Sequence, residues 1–598
     1  MTPKTARQIR SGKVKNMANN QNNVAQKQVR LITAPKTERK YERVADAYEL
    51  CRVIAKHGDR TAFSYYDKSR TVRDLSYERF YNRIVRTAAG LTKRGLAGKR
   101  VAVIGDTSVA WLASYLAVLV TGGVIIPVDK ELEIDSIIGL LESVDADAII
   151  YSERFNGKFA GKLSENSSIK TFIPIDPDEN ELVQPGVVAY RAMRAEGKAE
   201  IDAGKFKLAK VKNREVMAEM LFTSGTTGTS KCVMLSQKNV FSVVTAAAAS
   251  VDFTPDDVLL SVLPVHHTYE LACLLAAMDY GIHICINDSL TRVLKNIQYF
   301  KPTGLVLVPL FVYTIYKKIW AEAKKSGREK ALKLGLSASK AMRSVGVDKR
   351  RAIFADVLNS FGGNLKKIIC GGAALNPKMI EFFDDIGIPI YEGFGITECA
   401  PLTFVTPYYA RKIGSVGPAV PCCQGRIDGT GIGSHGYIEG EIQIKGDNVM
   451  LGYYNNPEAN EAVFTEDGWF RTGDIGYKDN DGYFYITGRL KSVIVLENGK
   501  NIFPEEIEEY LANIELIAES VVVGRQDGAC VNLVAIVYPN FTKFSDDASE
   551  DEIYNAVNAE INKLNKRMPS HKQIKKLEIR EVEFEKTSSR KIKRFLVK

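Results

Sequence analysis

The sequence predicts an α/β protein: a large N-terminal part built on mainly parallel sheets flanked by helices, followed by a small α+β unit. Three observations carry that expectation. Short, uninterrupted β-branched runs alternate with helical stretches from about residue 43 to 485, the pattern of strands covered on both faces. After "YITGRLKSVIVLENGK" (485–500) the chain turns compact, charged and mixed in type. At 598 residues it is also too long for a single core.

The individual elements follow from local chemistry. "RVAVIG" (100–105), "GGVIIPVD" (122–129) and "ADAIIYS" (146–152) read as core strands. "LKKIICGG" (365–372) leads into the helical "NPKMIEFFDDIG" (376–387) and then "IPIYEGFG" (388–395). Both of those strands open into glycine loops at their carboxyl ends, where parallel sheets bind ligands. "WLASYLAVLVTGGVIIPV" (111–128) has no charge and is long enough to mimic a membrane span. Its internal Thr-Gly-Gly and proline instead predict a buried helix, a glycine stop and a strand, so no transmembrane segment is expected. A charged helical block near 316–358 reads as an amphipathic surface insertion.

Composition is that of an ordinary globular protein, with 45% apolar and 25% charged residues. The net charge of +10 is concentrated: residues 1–43 hold eleven Lys/Arg against Glu38 and Glu42. With the polar run "NNQNNVAQKQ" (19–28), this segment reads as a disordered, solvated arm, a reading preferred over lipid contact or a transit peptide; Met17 is an alternative start. Nine cysteines and six histidines fall at no metal-ligand spacing. Without a secretory signal they imply reduced, mostly buried thiols and a cytoplasmic location, with peripheral membrane contact left open. No nucleic-acid partner is expected.

The stretch "TSGTTGTSK" (223–231) joins the strand-like runs 216–222 and 232–235, after which Ser236 reads as a helix N-cap. Its glycines allow a tight backbone, and successive N–H groups and hydroxyls with Lys231 make a concave anion site suited to polyphosphate. The Walker spacing is absent.

Taken with other segments, this loop resembles that of the adenylate-forming (AMP-binding) superfamily. "LPVHHTYE" (263–270), "GGAAL" (371–375), "YEGFGITE" (391–398), "GEIQIKG…VMLGYY" (440–454), "DGWFRTGDIG" (467–476), "GRLKSVIVLENGKNIFPEEIE" (488–508) and "KTSSRKIKR" (586–594) follow in the family's order. The resemblance implies a smaller β-rich subdomain in the large part and a mobile C-terminal lid. The expected division is tail 1–43, adenylation domain 44–487, hinge 488–492 and lid domain 493–598. It also implies ATP, Mg²⁺ and coenzyme A as cofactors, a carboxylate attacking the α-phosphate with loss of pyrophosphate, and a thiol then taking the acyl group.

By the same resemblance Thr223, Ser224, Gly225, Thr226, Thr227, Gly228 and Lys231 hold the β- and γ-phosphates. The loop departs from the family pattern at Ser230 and Cys232, where proline and glycine are usual. Gly371, Gly372 and Ala373 line the adenine and acyl sites. Phe394, tyrosine in most of the family, stacks on adenine, with Gly395 beside it. Thr397 bonds the α-phosphate or acyl oxygen, and Glu398 is the Mg²⁺ ligand. Asp474 and Arg489 hold the ribose, and His267 sits by the carboxylate while His266 is structural. Lys591 carries adenylation, although Glu585 and Arg590 replace the usual proline and glycine around it. Lys491 is the hinge residue, and Gly499 reaches the pantetheine tunnel.

The inserted helices and the ending "TSSRKIKR" resemble bacterial-type long-chain fatty acyl-CoA synthetases, which implies a fatty acid substrate. Val308, Pro309 and Leu310 belong either near its tunnel or in a buried strand. Transfer to an acyl carrier protein, activation of a non-fatty acid such as an aryl acid, and a catalytically weak nucleotide- or lipid-binding protein remain as alternatives.

Overall fold

The structure, a computed structural model, describes residues 31–33, 43–159, 162–164, 167–223, 231–433, 435–496, 501–527, 530–545, 547–587 and 592–597. Two sheets organise the large part. One has eight strands, in the order Leu402–Val405, Ile390–Gly395, Lys367–Gly371, Gly304–Leu307, Val258–Ser261, His283–Ile286, Thr61–Tyr66 and Val72–Ser76; only its two edge pairs are antiparallel. The other has seven, running Gly452–Tyr453, Lys231–Ser236, Met217–Thr223, Val124–Val128, Arg100–Ile104, Ala148–Tyr151 and Thr171–Pro174. The parallel pattern read from the apolar runs is therefore present, with an antiparallel hairpin at one edge of the second sheet.

Because side chains alternate along a strand, each strand feeds two cores. Val101 and Val103 join the central cluster between the sheets, while Ala102 and Ile104 join an outer one with Ile137 and Leu141. Likewise Leu259 and Val306 point to the centre, and Leu260, Leu305 and Leu307 to an outer cluster with Ile315 and Phe383. The centre is filled by helices Val109–Val120 and Thr268–Tyr280, which are apolar nearly all round and buried along almost their whole length. Ser108 caps the first of them, and Gly122 at φ 74° turns the chain into the next strand. Among the described residues no helix is long and apolar enough to cross a membrane.

A four-stranded antiparallel sheet (Cys423–Ile432, Ile438–Gly446, Phe470–Lys478, Phe484–Arg489) forms the smaller β-rich unit. Beyond it lies a separate C-terminal domain. Its strands Ile517–Asp527, Cys530–Pro539 and Lys576–Ile579 and helices Pro504–Leu511 and Glu550–Asn565 enclose their own core around Ile507, Ala535 and Val557. Within the segment expected to be disordered, Leu31–Thr33 instead pairs antiparallel with Ala410–Lys412, because Ile32 finds apolar cover. Val308 and Pro309 start helix Pro309–Lys325 rather than a strand, and Leu310 is half exposed.

The inserted helices are tied down at two adjacent buried carboxylates, Asp384 and Asp385, of which Asp385 pairs with Lys340 at 3.1 Å. Asp384, with no exposed side-chain surface, accepts from Arg411 Nη2 (2.8 Å) and Arg343 Nη1 (2.7 Å), with Arg350 Nη1 at 3.4 Å. Burial pushes its carboxyl upward, but the three guanidiniums outweigh that and hold it below the ordinary aspartate value. Asp384→Ala leaves buried Arg411 without its carboxylate and takes one of two carboxylate partners from Arg343 and Arg350, and should cost about 3 kcal/mol of stability, measured by urea unfolding. The carboxylate is depressed in the folded state, so its contribution is present above the unfolded value of about 3.9 and is lost as pH falls below it. The stability gap between parent and variant should therefore close in acid.

Candidate functional site

The strands on either side of the hydroxyl-rich stretch, Met217–Thr223 and Lys231–Ser236, pair antiparallel, with Thr223 opposite Lys231. Ser224, Gly225, Thr226, Thr227 and Gly228 lie outside the described residues, as do Gly499 and Lys591. Thr223 Oγ1 bonds the Lys231 carbonyl (3.3 Å) at the loop's mouth. Ser236 ends the hairpin as an N-cap with a reciprocal Asn239 bond, which fixes the start of helix Gln237–Ser250.

A residue with no role in the sequence reading organises what surrounds this loop. The two-residue strand Gly452–Tyr453 adds to the hairpin's outer edge, Tyr453 opposite Val233. The Tyr453 ring lies 4.6 Å beneath the Lys231 ammonium, and its hydroxyl donates to Glu398 Oε1 at 2.9 Å. Tyr453 is 5% exposed, and both its backbone groups are held by the Asn460 amide. Burial, and then the Glu398 charge, push its phenol well above the usual range, so it remains a donor. The motif "VMLGYY" carried this tyrosine, but nothing in its local chemistry assigned it a partner.

Glu398 sits in a single 3₁₀ turn, Thr397–Cys399, directly after strand Ile390–Gly395. The Met450 N–H donates to its backbone carbonyl (2.8 Å), so the turn and the Gly452–Tyr453 strand are joined twice. Gly395 is obligatory in this bend: a Cβ there would stand 2.0 Å from the Pro401 carbonyl oxygen. Phe394 is half buried at the end of an aromatic ladder. Its ring lies 5.7 Å from Phe404 at 24°, and Phe404 lies 4.1 Å from Phe484 at 17°.

Phe484 belongs to the strand carrying Arg489, which pairs with the strand carrying Asp474. Asp474 is 2% exposed and its Oδ1 accepts from Arg489 Nε at 2.9 Å, so these two residues form an ion pair. Lys491 lies just beyond, exposed in the 3₁₀ turn Leu490–Ser492. Gly488 admits the Phe503 ring of the C-terminal domain, which would come within 2.3 Å of a Cβ.

The third group stands at the carboxyl ends of the central strands. Gly371 is buried, with Tyr269 packed 3.4 Å from where a Cβ would lie; Gly372 takes φ 88°, and Ala373 is exposed. His267 precedes helix Thr268–Tyr280, its ring 4.3 Å from that of His266. Buried Glu270 anchors this turn by accepting from Ser261 Oγ (2.5 Å), and burial lifts its carboxyl to about 8.

His266, read as structural, lines a cavity of about 1290 Å³ where strand ends of both sheets meet. Glu583, Phe584, Lys586 and Thr587 of the C-terminal domain close one side. Asp106, Glu131 and Asp176 on its wall are matched by Lys130, Arg154 and Lys68. Arg83, Arg191 and Arg194 have no carboxylate within 4.0 Å among the described residues, and Arg194 Nε is buried without a hydrogen-bond partner there. Those arginines sit in helical text with no motif, which is why sequence reading passed over them.

Residues 50–454 match the model of the AMP-binding enzyme family, and residues 491–597 match that of the AMP-binding enzyme C-terminal domain. The chain belongs to the AMP-binding enzyme family. It is similar to the long-chain-fatty-acid–CoA ligase FadD15 of Mycobacterium bovis, 26% identical over 88% of this chain and 90% of that one. It is also 26% identical to the long-chain-fatty-acid–[acyl-carrier-protein] ligase AEE15 of Arabidopsis thaliana, over 81% of this chain and 75% of that one. Its fold is shared with ATP-bound MatB from Rhodopseudomonas palustris, TM-score 0.69 at 22% identity, covering 92% of this chain and 97% of that one.

Tyr453→Phe removes only the hydroxyl that meets Glu398. Losing a hydrogen bond to a charged group costs about 1.5 kcal/mol, so ATP-dependent adenylate formation should fall about tenfold with thermal stability retained. Pyrophosphate release is the measurement, and an unchanged rate would show the hydroxyl to be idle.

Proposed function

We propose that this protein activates a fatty acid with ATP, forming the acyl-adenylate and pyrophosphate, and then passes the acyl group to the thiol of coenzyme A. The observation that carries this reading is the Lys231–Tyr453–Glu398 constellation beside a loop rich in hydroxyls and glycines. A cation and a carboxylate are held close without neutralising each other. That arrangement suits a polyphosphate on the lysine side and a hard divalent cation on the other.

In this reading, loop 223–228 and Lys231 take the β- and γ-phosphates. Phe394 offers its ring to adenine at the open end of the ladder, beside Gly372, Ala373 and Gly395. Asp474 and Arg489 take the ribose hydroxyls, with their mutual ion pair setting the direction of both side chains. Glu398 retains an oxygen beyond the one bonded to Tyr453; a single carboxylate beside phosphate fits Mg²⁺, which keeps its remaining sites for phosphate and water. Thr397 faces the reacting phosphate, and His267 the incoming carboxylate. Lys591 bridges that carboxylate and the α-phosphate.

The thiol must approach where the lysine has been, so the second half-reaction needs the C-terminal domain to turn about Lys491 and bring Gly499 to the pantetheine arm. The close Gly488–Phe503 contact, where the two domains meet, would have to open in such a turn. The unmatched Arg83, Arg191 and Arg194 suit the phosphates of the acceptor. Similarity to FadD15 and the inserted helices support a long acyl chain. The similarity to AEE15 keeps an acyl carrier protein as the second candidate acceptor; comparing free CoA with holo-carrier decides between them.

Lys591→Ala should lower fatty-acid-dependent pyrophosphate release by about 10²-fold while ATP binding persists. A panel from acetate to oleate should show the highest kcat/KM for long chains, and equal rates along it would overturn the fatty-acid assignment. Arg194→Glu should raise KM for CoA about tenfold and leave adenylate formation as it was, because the reversed charge in the cavity wall repels the anionic acceptor alone.

A further inference from the structure

Charge in this chain is segregated. Residues 1–43 hold eleven Lys/Arg against two Glu, and residues 309–359 hold twelve against four Asp/Glu, so the rest of the chain is acidic. The fold brings Leu31–Thr33, which lies within the first of these segments, beside the second. Leu31–Thr33 pairs with Ala410–Lys412; Arg411 of that strand bonds Asp384, which also bonds Arg343 of the inserted helices. Ile32 packs in the same apolar cluster as Leu332 and Phe354.

The outer face of inserted helix Glu329–Ser344 is not that of a solvated helix. Its inner face is Leu332, Gly335 and Ser339, with Gly335 against the Phe354 ring. On the opposite side Leu334, Ala338, Ala341 and Val345 fall at i, i+4, i+7 and i+11, a single stripe. Leu334 is 72% and Val345 74% exposed, and Met342 and Val347 extend the patch. In the same inserted segment Lys317, Lys318, Lys324, Lys325, Lys330 and Lys349 are exposed, with no carboxylate within 4.0 Å among the described residues. Neighbouring cations of the same segment are spent on internal pairs, such as Arg328 with Asp356 and Lys333 with Glu329.

We propose that this face docks reversibly on an anionic lipid surface, with Leu334 and Val345 among the acyl chains and the unmatched lysines at the headgroup phosphates. Charge alone would serve a nucleic acid equally well; the exposed apolar stripe favours lipid over a polyanion that offers it no apolar surface. Two exposed large side chains per helix make a weak, salt-sensitive contact rather than an anchor. The preceding helix, Pro309–Lys325, starts at the carboxyl end of central strand Gly304–Leu307, so the docked face is one helix away from the strand ends that carry the site.

The test is flotation of the full-length protein with vesicles of equal parts phosphatidylglycerol and phosphatidylcholine, alongside pure phosphatidylcholine. Binding is expected on the anionic vesicles only, falling as salt rises. Leu334→Glu with Val345→Glu, and separately Lys325→Glu with Lys330→Glu, should each cut the bound fraction about tenfold, with thermal midpoint and octanoate-dependent pyrophosphate release unchanged. No binding to anionic vesicles at low salt would overturn the proposal. So would parent-like binding by both double variants, or tighter binding to duplex DNA that Leu334→Glu with Val345→Glu leaves intact.

Discussion

The phenol of Tyr453 stands in contact with two opposite charges, one on its ring face and one at its hydroxyl. Its ring takes the Lys231 ammonium through the π-face and its hydroxyl takes the Glu398 carboxylate, so each charge is oriented and neither is cancelled. A direct Lys–Glu pair would leave little potential for a polyphosphate, because its field falls off as that of a dipole. The spacer works only if its backbone cannot move. The Asn460 amide clamps Tyr453, the Gly452–Tyr453 strand is paired to Met234 and Val233, and the Glu398 turn is bonded back to Met450.

That rigidity is inherited from the layers beneath. The hairpin bearing Lys231 is the edge of the seven-stranded sheet, and the Glu398 turn leaves the eight-stranded one. The central helices hold the two sheets in register through a shared core in which large side chains such as Trp111, Tyr115 and Phe241 are fully buried. The Phe394–Phe404–Phe484 ladder then links the eight-stranded sheet to the small antiparallel one carrying Asp474 and Arg489. Three sheets thus contribute to one neighbourhood, and the C-terminal domain meets it from outside.

Much of the fold was readable before any coordinates. Buried parallel strands are continuous apolar runs, so "RVAVIG", "ADAIIYS" and "LKKIIC" announced themselves, and the glycine stop after Val120 excluded a membrane span. The separate C-terminal domain was legible in the change of composition near residue 490. The motif residues of the site were legible as a set through the order of their segments, which resembles that of the adenylate-forming superfamily. Tyr453 was not, since an aromatic in a short connection has many uses and only the added edge strand gives it two partners. Leu31–Thr33 was hidden by its polar surroundings; three residues are too few for a periodic signal. That His266 lines the cavity was not legible either, as it depends on how the helix start meets the opposite sheet.

What the sequence by itself determined is local: which segments are strands and helices, where glycine is required, and which residues could bear charge toward a nucleotide. These follow from periodicity and side-chain chemistry, which act within a few residues. Only the tertiary structure decided that Lys231 and Glu398 share one tyrosine and that Asp474 turns toward Arg489. The same is true of strand Ala410–Lys412 and the inserted helices, which meet through Asp384. Those facts join residues tens to hundreds of positions apart, and such distances are set by how sheets and helices pack, a constraint no short window of sequence contains.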